Sequence, residues 1–240
     1  MRASVTRRRV PPPRMNRLDV RRHAGFSLVE LTIVLTVIGL LAGAILFGQE
    51  LVASSRGKAV AIELNQLQGA VATYRDRYRA LPGDDPLAQA RWSLTAVLAA
   101  VPSSPGNGSI DGAYNAAAAV PESESRLFWW HLRRAGFLSG ATDAANAALA
   151  VQQPQNALGG ITGVTTGVGA LSAGLSGPIV CTANVPGRIA ASIDAQTDDG
   201  APANGDLRAK RQTVANENIG TAADAYVEDG GLYLLCRTLP

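Results

Sequence analysis

The chain has 240 residues, of which 47% are apolar and 17% are charged, a composition that excludes global disorder and fits one ordinary domain with appendages or two small domains. Its formal net charge of +3 arises in residues 1–24, which hold eight of the 22 basic residues and one of the 19 acidic ones, so that 14 bases and 18 acids remain elsewhere. We therefore predict no nucleic-acid-binding surface, because the basic residues lie in a separable N-terminal tail and not on a folded face.

An apolar run follows the basic leader. It extends over the 22 residues from Phe26 to Phe47, and Glu30 is its one charged residue. At a rise of about 1.5 Å per residue the run is about 33 Å long, enough to cross a bilayer core of about 30 Å. The positive-inside rule places residues 1–25 in the cytoplasm. We expect a single-pass protein of the inner membrane with a periplasmic C-terminal head.

Two other interpretations fit a run of this kind. A secretory signal peptide is cleaved at small residues after its apolar stretch, whereas the sequence Ala42-Gly43-Ala44 lies inside the run. A plain signal anchor fits the hydropathy equally well. Glu30 argues against it, since a carboxylate costs about 2.5–3.5 kcal/mol at the bilayer centre and needs a partner. Cleavage before Phe26 would create an α-amino group one helical turn from Glu30.

The sequence Gly25-Phe26-Ser27-Leu28-Val29-Glu30, followed by a run of Leu, Val, Ile and Thr, resembles the processing site of type IV prepilins and of type II secretion pseudopilins. The resemblance implies that a prepilin peptidase cuts after Gly25 and N-methylates Phe26. It also implies that Glu30 guides the docking of subunits into a helical filament. The similarity covers the segment from Gly25 to Arg79.

One position departs from the family pattern. Many members carry a proline about 22 residues into the mature helix, where this chain has Phe47. Three glycines, Gly39, Gly43 and Gly48, are the residues expected to soften the helix here, because each costs about 1 kcal/mol relative to alanine.

An amphipathic helix continues the apolar run from Gln49 to Arg79. Its apolar residues recur at steps of three and four, which is typical of one buried helical stripe: Val60, Leu64, Leu67, Val71, Tyr74 and Tyr78. Proline and glycine at 81–86 end the helix. We predict a leader at 1–25, a transmembrane and filament-core helix at 26–47, its amphipathic extension at 48–80, and a periplasmic head at 81–240.

The head is predicted to combine helices with a small sheet. Helices are expected at Leu87–Ala100 and Glu122–Phe137, with a loop at Val101–Tyr114 between them. Residues 141–177 form a Gly/Ala-rich variable stretch, expected to be a loop or loosely patterned strands. Three short runs favour an antiparallel sheet packed on the long helix: Ile179–Thr182, Arg188–Ile193 and Gly231–Cys236. The expected fold class is therefore α+β.

Three neighbouring residues of the second predicted head helix invite a functional interpretation. Trp129 and Trp130 fit either a partner surface or the hydrophobic core. His131 has no Ser, Cys or second His at a meaningful spacing, so we interpret it as a surface or capping histidine and not as a catalytic one.

The chain has two cysteines, Cys181 and Cys236. Two are too few for a zinc site of their own. In an exported head they predict one disulfide, whose loop of about 55 residues adds roughly 4 kcal/mol in the chain-entropy model. Two buried, unpaired thiols are the alternative.

Acidic residues concentrate at Asp194, Asp198, Asp199 and Asp206. Carboxylate oxygens near glycines suit calcium, although the spacing is not that of an EF-hand. Asx-turns in a solvated loop explain the same residues. No other cofactor is predicted.

We expect a structural subunit, a minor pilin or pseudopilin of a type IV pilus or a type II secretion pseudopilus, whose partners are the prepilin peptidase and other subunits. The alternative is a signal-anchored periplasmic protein with a binding or enzymatic role that does not polymerise. An enzyme is disfavoured because the two histidines, His23 and His131, accompany no recognisable nucleophile motif.

Overall fold

The computed structural model describes residues 26–92, 105–116, 123–143, 146–167 and 175–240. The chain divides into two compact units, Met1–Phe47 and Gly48–Pro240. The leader, with Gly25, lies outside the described residues.

The first helix, α1, runs from Leu28 to Tyr78. It begins where the Leu31 N–H donates to the Ser27 carbonyl at 3.1 Å. It ends just before Arg79, whose φ of 55° is left-handed and therefore breaks the helical backbone. Pro82 follows three residues later and prevents continuation of the helix.

In the described part of the second unit, four shorter helices and four strands follow α1. In chain order they are α2 (Ala88–Trp92), α3 (Glu124–Arg134), α4 (Ala147–Ala150), β1 (Thr162–Thr166), β2 (Pro178–Pro186), α5 (Gly187–Thr197), β3 (Leu207–Gln212) and β4 (Leu232–Thr238). The strands form one sheet in the order β1-β2-β4-β3, and every neighbouring pair is antiparallel. The predicted α+β class is confirmed.

The hydrophobic core lies between α1, the sheet and α3. Leu64, Leu67, Val71 and Tyr74 of α1 are buried in one cluster with Phe128, Trp129 and Leu132 of α3 and with Val164 and Val180 of the sheet. Lower on α1, Val60 is buried with Val185, Tyr233 and Leu235. The predicted stripe on α1 is thus confirmed, with Tyr78 only half-buried at its end.

The strand predicted at Arg188–Ile193 is wrong, because this segment belongs to helix α5. Ala190 and Ile193 are buried, and their spacing of three places both on one helical face. At Gly187, where α5 begins, an added Cβ would collide with the Val227 carbonyl.

Strand β3 is not among the predicted elements, whereas β1 lies where loosely patterned strands are one of the two expectations. β3 has the sequence Leu-Arg-Ala-Lys-Arg-Gln, and it buries Leu207 and Ala209 while the residues between them are less buried. β1 lies within the Gly/Ala-rich stretch, where a Cβ on Gly163 would collide with the Tyr114 carbonyl.

The predicted helix boundaries in the head also differ from the observed ones. The helix expected from Leu87 starts at Ala88 and is described to Trp92, and residues 93–104 lie outside the described residues. The helix expected at Glu122–Phe137 spans Glu124–Arg134.

Cys181 and Cys236 form a disulfide with an S–S distance of 2.07 Å. They are direct partners in the register of β2 and β4, and both are fully buried. The two cysteines therefore covalently link the two central strands of the sheet.

Candidate functional site

The described N-terminal segment presents an apolar surface on all sides. Phe26 is 83% exposed and precedes the helix, and the large apolar side chains between Leu28 and Phe47 are 46% or more exposed. Within the described residues, α1 is the helix whose length and composition would allow it to cross a membrane. Such a surface needs either lipid or the helices of other molecules around it.

Glu30 is the one carboxylate in this apolar surface. It lies in the first turn of α1, where the partial positive charge of the helix N-terminus favours an anion. Its side chain is exposed and forms no ion pair with the described residues. The pairing of Glu30 with the amine of a cleaved Phe26 therefore stays a prediction.

Two hydroxyls within the same segment have their hydrogen bonds satisfied by the helix itself. The Thr32 hydroxyl donates to the Val29 carbonyl at 2.8 Å, and the Thr36 hydroxyl donates to the Thr32 carbonyl at 2.8 Å. A polar side chain that bonds to its own helix adds no unsatisfied donor in an apolar environment. Glu30 is thus the residue of this segment that requires an external partner.

The acidic residues of the head are brought together only in part. One carboxylate oxygen from each of Asp194, Asp198 and Asp199 lies within 4.8 Å of the others, whereas Asp206 is not in that group.

The three grouped carboxylates already accept hydrogen bonds from the protein. Asp194 is fully buried and accepts from the Tyr226 hydroxyl at 2.6 Å and from the Gly200 N–H at 3.1 Å. Asp198 accepts from the Leu207 N–H at 2.7 Å, and Asp199 accepts from the N–H two residues on at 2.8 Å. Of these bonds, the one from the Ala201 N–H to Asp199 has the spacing of an Asx-turn. Calcium binding at this loop stays a prediction.

Trp129 and Trp130 are both 1% exposed, so the interpretation as a partner surface is wrong. Trp129 packs in the main core. Trp130 packs with Leu127 and Val151 on the other side of α3. α3 is enclosed on several faces, which explains why large apolar residues occur next to each other in its sequence.

His131 is 3% exposed, which corrects its interpretation as a surface residue. Its Nδ1 atom accepts a hydrogen bond from the Gly83 N–H at 2.8 Å. Burial lowers the pKa of His131 to about 4, so the imidazole is neutral at pH 7. It therefore fastens the turn after α1 to α3, a structural role.

A buried ionic cluster lies beside His131 and was not anticipated. Asp85 accepts hydrogen bonds from the Tyr74 hydroxyl at 2.7 Å and from the Arg91 guanidinium at 2.6 Å. Burial alone would raise the pKa of Asp85, but the bonds from Arg91, Tyr74 and the Leu87 N–H outweigh burial and lower the pKa. The Pro-Gly-Asp-Asp-Pro segment in the sequence was the available signal, and we interpreted it only as a helix terminator.

The adjacent Asp84 ties a second loop to this cluster. Its carboxylate accepts hydrogen bonds from the backbone N–H groups of Gly106, Asn107 and Gly108 at 2.5, 3.3 and 2.7 Å. Asp84 and Asp85 are both almost fully buried. Both carboxylates therefore accept hydrogen bonds from groups within the head.

Residues 20–46 match the family model of the prokaryotic N-terminal methylation motif. No curated protein and no solved structure matches the chain. The match contains Gly25, Phe26 and Glu30, the three residues on which the resemblance in sequence rests.

Proposed function

We propose, from the match of residues 20–46 to the prokaryotic N-terminal methylation motif, that the chain is a type IV pilin-like precursor, which is processed by prepilin peptidase and assembles into a type IV pilus or a type II secretion pseudopilus. The peptidase cuts after Gly25 and methylates the amine of Phe26. The observation that carries the proposal is the match at residues 20–46, on a helix that exposes apolar side chains on every face.

Before assembly, the apolar part of α1 anchors the chain in the inner membrane. The arginine-rich leader stays in the cytoplasm and the head lies in the periplasm. After cleavage the exposed apolar side chains of α1 exchange lipid for the helices of neighbouring subunits. The result is a filament core that is packed by the same residues that held the single subunit in the bilayer.

Glu30 sets the register of each new subunit. A carboxylate surrounded by apolar helices is stabilised by a cation within hydrogen-bond reach. The new α-amino group of Phe26 is such a cation, and cleavage creates it only in processed chains. Pairing between Glu30 and the Phe26 amine of a neighbour therefore favours the incorporation of processed subunits. It also fixes the axial position of each subunit relative to that neighbour.

The head supports a structural role in this proposal. The pilin-type segment favours a subunit over an enzyme, and the length of the chain favours a minor pilin or a pseudopilin. The buried disulfide holds the two central strands of the sheet together, and the hydrogen bond from Gly83 to His131 fastens the turn after α1 to α3.

Mass spectrometry of the membrane-extracted protein tests the processing step. We expect the wild type to begin at N-methylated Phe26. A Gly25→Ala variant is expected to keep its leader, because Gly25 is the residue directly before the proposed cut. A Glu30→Gln variant is the matched control: it is processed like the wild type but is not recovered in sheared filaments. An intact N-terminus in the wild type, or a cut beyond Phe47, would instead support an anchored periplasmic protein that does not polymerise.

A further inference from the structure

An open cavity with a basic rim lies at the C-terminal end of α1. Its volume is about 870 Å³, and its lining includes Arg75, Asp76, Arg79 and Asp84. Arg75 and Arg79 are exposed and are one helical turn apart. Neither guanidinium forms an ion pair with the described residues, so both are available to an external anion.

Two of the three acids that line this cavity are used within the head and do not neutralise its rim. Asp84 is committed to the backbone of residues 106–108, and Asp85 is committed to Tyr74 and Arg91. Asp76 is the one exposed acid between Arg75 and Arg79. Basic side chains interact favourably with the C-terminal end of a helix dipole. That preference alone does not explain two guanidiniums without ion-pair partners at the edge of a cavity.

An acidic segment lies elsewhere on the same head. Residues 213–235 contain four acids and no basic residue. Two of these acids are already paired, since Glu217 accepts from Lys210 at 2.6 Å and Asp229 pairs with Arg211. Asp224 and Glu228 are exposed and form no ion pair with the described residues.

The acidic segment and the basic cavity lie at different levels along α1. The Val227 carbonyl lies against Gly187 at the start of α5. The following residues of α5 contact the lower part of this unit: the Arg188 guanidinium is 2.7 Å from the Glu50 carboxylate, and Ile189 lies against Gly57. From Gly57 to Arg75 the helix rises by about 27 Å.

We infer that Arg75 and Arg79 of one subunit bind Asp224 and Glu228 of a second copy of this chain. The inference rests on the proposed function, because membrane-anchored subunits enter the assembly with their α1 helices parallel. Parallel copies cannot exchange these contacts by two-fold symmetry, so the basic cavity of one copy meets the acidic segment of the next copy, displaced along α1. Such a head-to-tail contact leaves one patch free at each end and can be repeated without limit.

The contact orients subunits more than it holds them together. Exposed ion pairs are individually weak and are screened by salt, whereas complementary patches steer association and suppress wrong arrangements. The apolar helices supply the affinity, and the paired charges of the heads select one height and one rotation for each added copy.

Charge reversal in the full-length chain, expressed in its own host, tests the contact. We expect Arg75→Glu/Arg79→Glu and Asp224→Lys/Glu228→Lys each to reduce the sheared filament yield about tenfold, since two attractive pairs become repulsive. The variant that combines all four substitutions, the quadruple variant, restores the attraction between the two patches. It is expected to recover the wild-type yield within about twofold. Arg134→Glu/Arg208→Glu changes the net charge equally at other sites and is the matched control, expected to assemble normally.

A cysteine pair tests the same contact directly. Cys181 and Cys236 are disulfide-bonded and no free cysteine exists in the described residues, so Arg79→Cys/Glu228→Cys introduces the only reactive thiols. Oxidation is expected to give a ladder of cross-linked copies, and either single variant gives none.

The outcomes separate the contact from the filament itself. Wild-type filaments with charge-reversed variants that assemble normally would refute the contact and leave the proposed function standing. A quadruple variant as defective as its parents, with no cross-linked ladder, would refute the contact between copies. A wild-type chain found in no filament would overturn both proposals.

Discussion

At the scale of single residues, Glu124 is the most unusual group of the head. It is 2% exposed and lies in the first turn of α3. Its Oε2 atom accepts from the Asp111 N–H at 2.7 Å, while Oε1 accepts no hydrogen bond from the described residues. Burial raises the pKa of Glu124 to about 7, and the carboxylates of Asp111 and Asp84 add to that shift.

The raised pKa predicts that Glu124 destabilises the head in alkaline solution. The folded chain holds this proton up to about pH 7, whereas the unfolded chain releases it near pH 4.5. The contribution of Glu124 to stability is therefore complete below about pH 4.5 and is lost as the pH rises through 7. A Glu124→Gln variant, which cannot ionise, is expected to gain about 1–3 kcal/mol over the wild type between pH 5 and pH 8.

Thermal unfolding in detergent, followed by tryptophan fluorescence, measures this difference at each pH. The buried His131 has the opposite dependence, since its lowered pKa costs stability as the pH falls from about 6.5 to about 4. Both proteins carry His131, so its effect cancels in the comparison. A difference between variant and wild type that does not change with pH would refute the prediction.

At the scale of elements, the contact between α1 and α5 depends on one glycine. A Cβ built on Gly57 would lie 2.7 Å from the Cγ2 atom of Ile189, so the absence of a side chain allows α5 to approach α1. Gly69, three turns later on α1, has nothing within 4 Å of a built Cβ. The two glycines have the same helical context but different neighbours.

Alanine is expected to stabilise the fold at Gly69 but not at Gly57. Gly69→Ala gains about 1 kcal/mol from helix propensity alone. Gly57→Ala has the same propensity gain, but crowding against Ile189 costs about 1–3 kcal/mol and cancels or reverses it. Chemical denaturation of both variants measures the contrast. Adding Ile189→Ala to Gly57→Ala is expected to remove the crowding, and equal stabilisation by both single variants would contradict the close contact.

At the scale of the whole molecule, the disulfide joins the two central strands of the sheet and closes a loop that contains much of the head. The disulfide links residues separated by 55 positions. The enclosed segment contains α5, β3 and the acidic residues Asp224, Glu228 and Asp229. Restricting so long a loop in the unfolded chain stabilises the folded state, and it supports the segment that we assign to contacts between copies.

Removal of this bond is expected to lower the stability of the head strongly. A Cys181→Ala/Cys236→Ala variant loses about 4 kcal/mol in the chain-entropy model, which lowers the thermal midpoint by roughly 10 °C. Tryptophan fluorescence reports it, because all three tryptophans, Trp92, Trp129 and Trp130, lie in the unit from Gly48 to Pro240. Reductant should destabilise the wild type and leave the variant unaffected; similar midpoints for the two proteins would refute the prediction.

The features that could be predicted from the sequence are those set by neighbouring residues. The apolar run of α1, its buried stripe and its termination before Pro82 depend on helical periodicity and on backbone restrictions. The similarity to prepilins rests on the contiguous segment from Gly25 to Glu30. With only two cysteines in the chain, a disulfide could have only one pairing.

Only the tertiary structure decided the features that depend on residues far apart in the chain. His131 is buried because Gly83, 48 residues earlier, supplies its hydrogen bond. The segment Arg188–Ile193 is helical because its apolar face packs on α1 and the sheet, which its short and ambiguous pattern could not reveal. The carboxylate of Asp206 lies outside the group of Asp194, Asp198 and Asp199, which the spacing of these residues in the sequence could not show. The local sequence determines which helices and strands form. Which side chains are buried, and which residues they pair with, depends on the elements that pack together after folding.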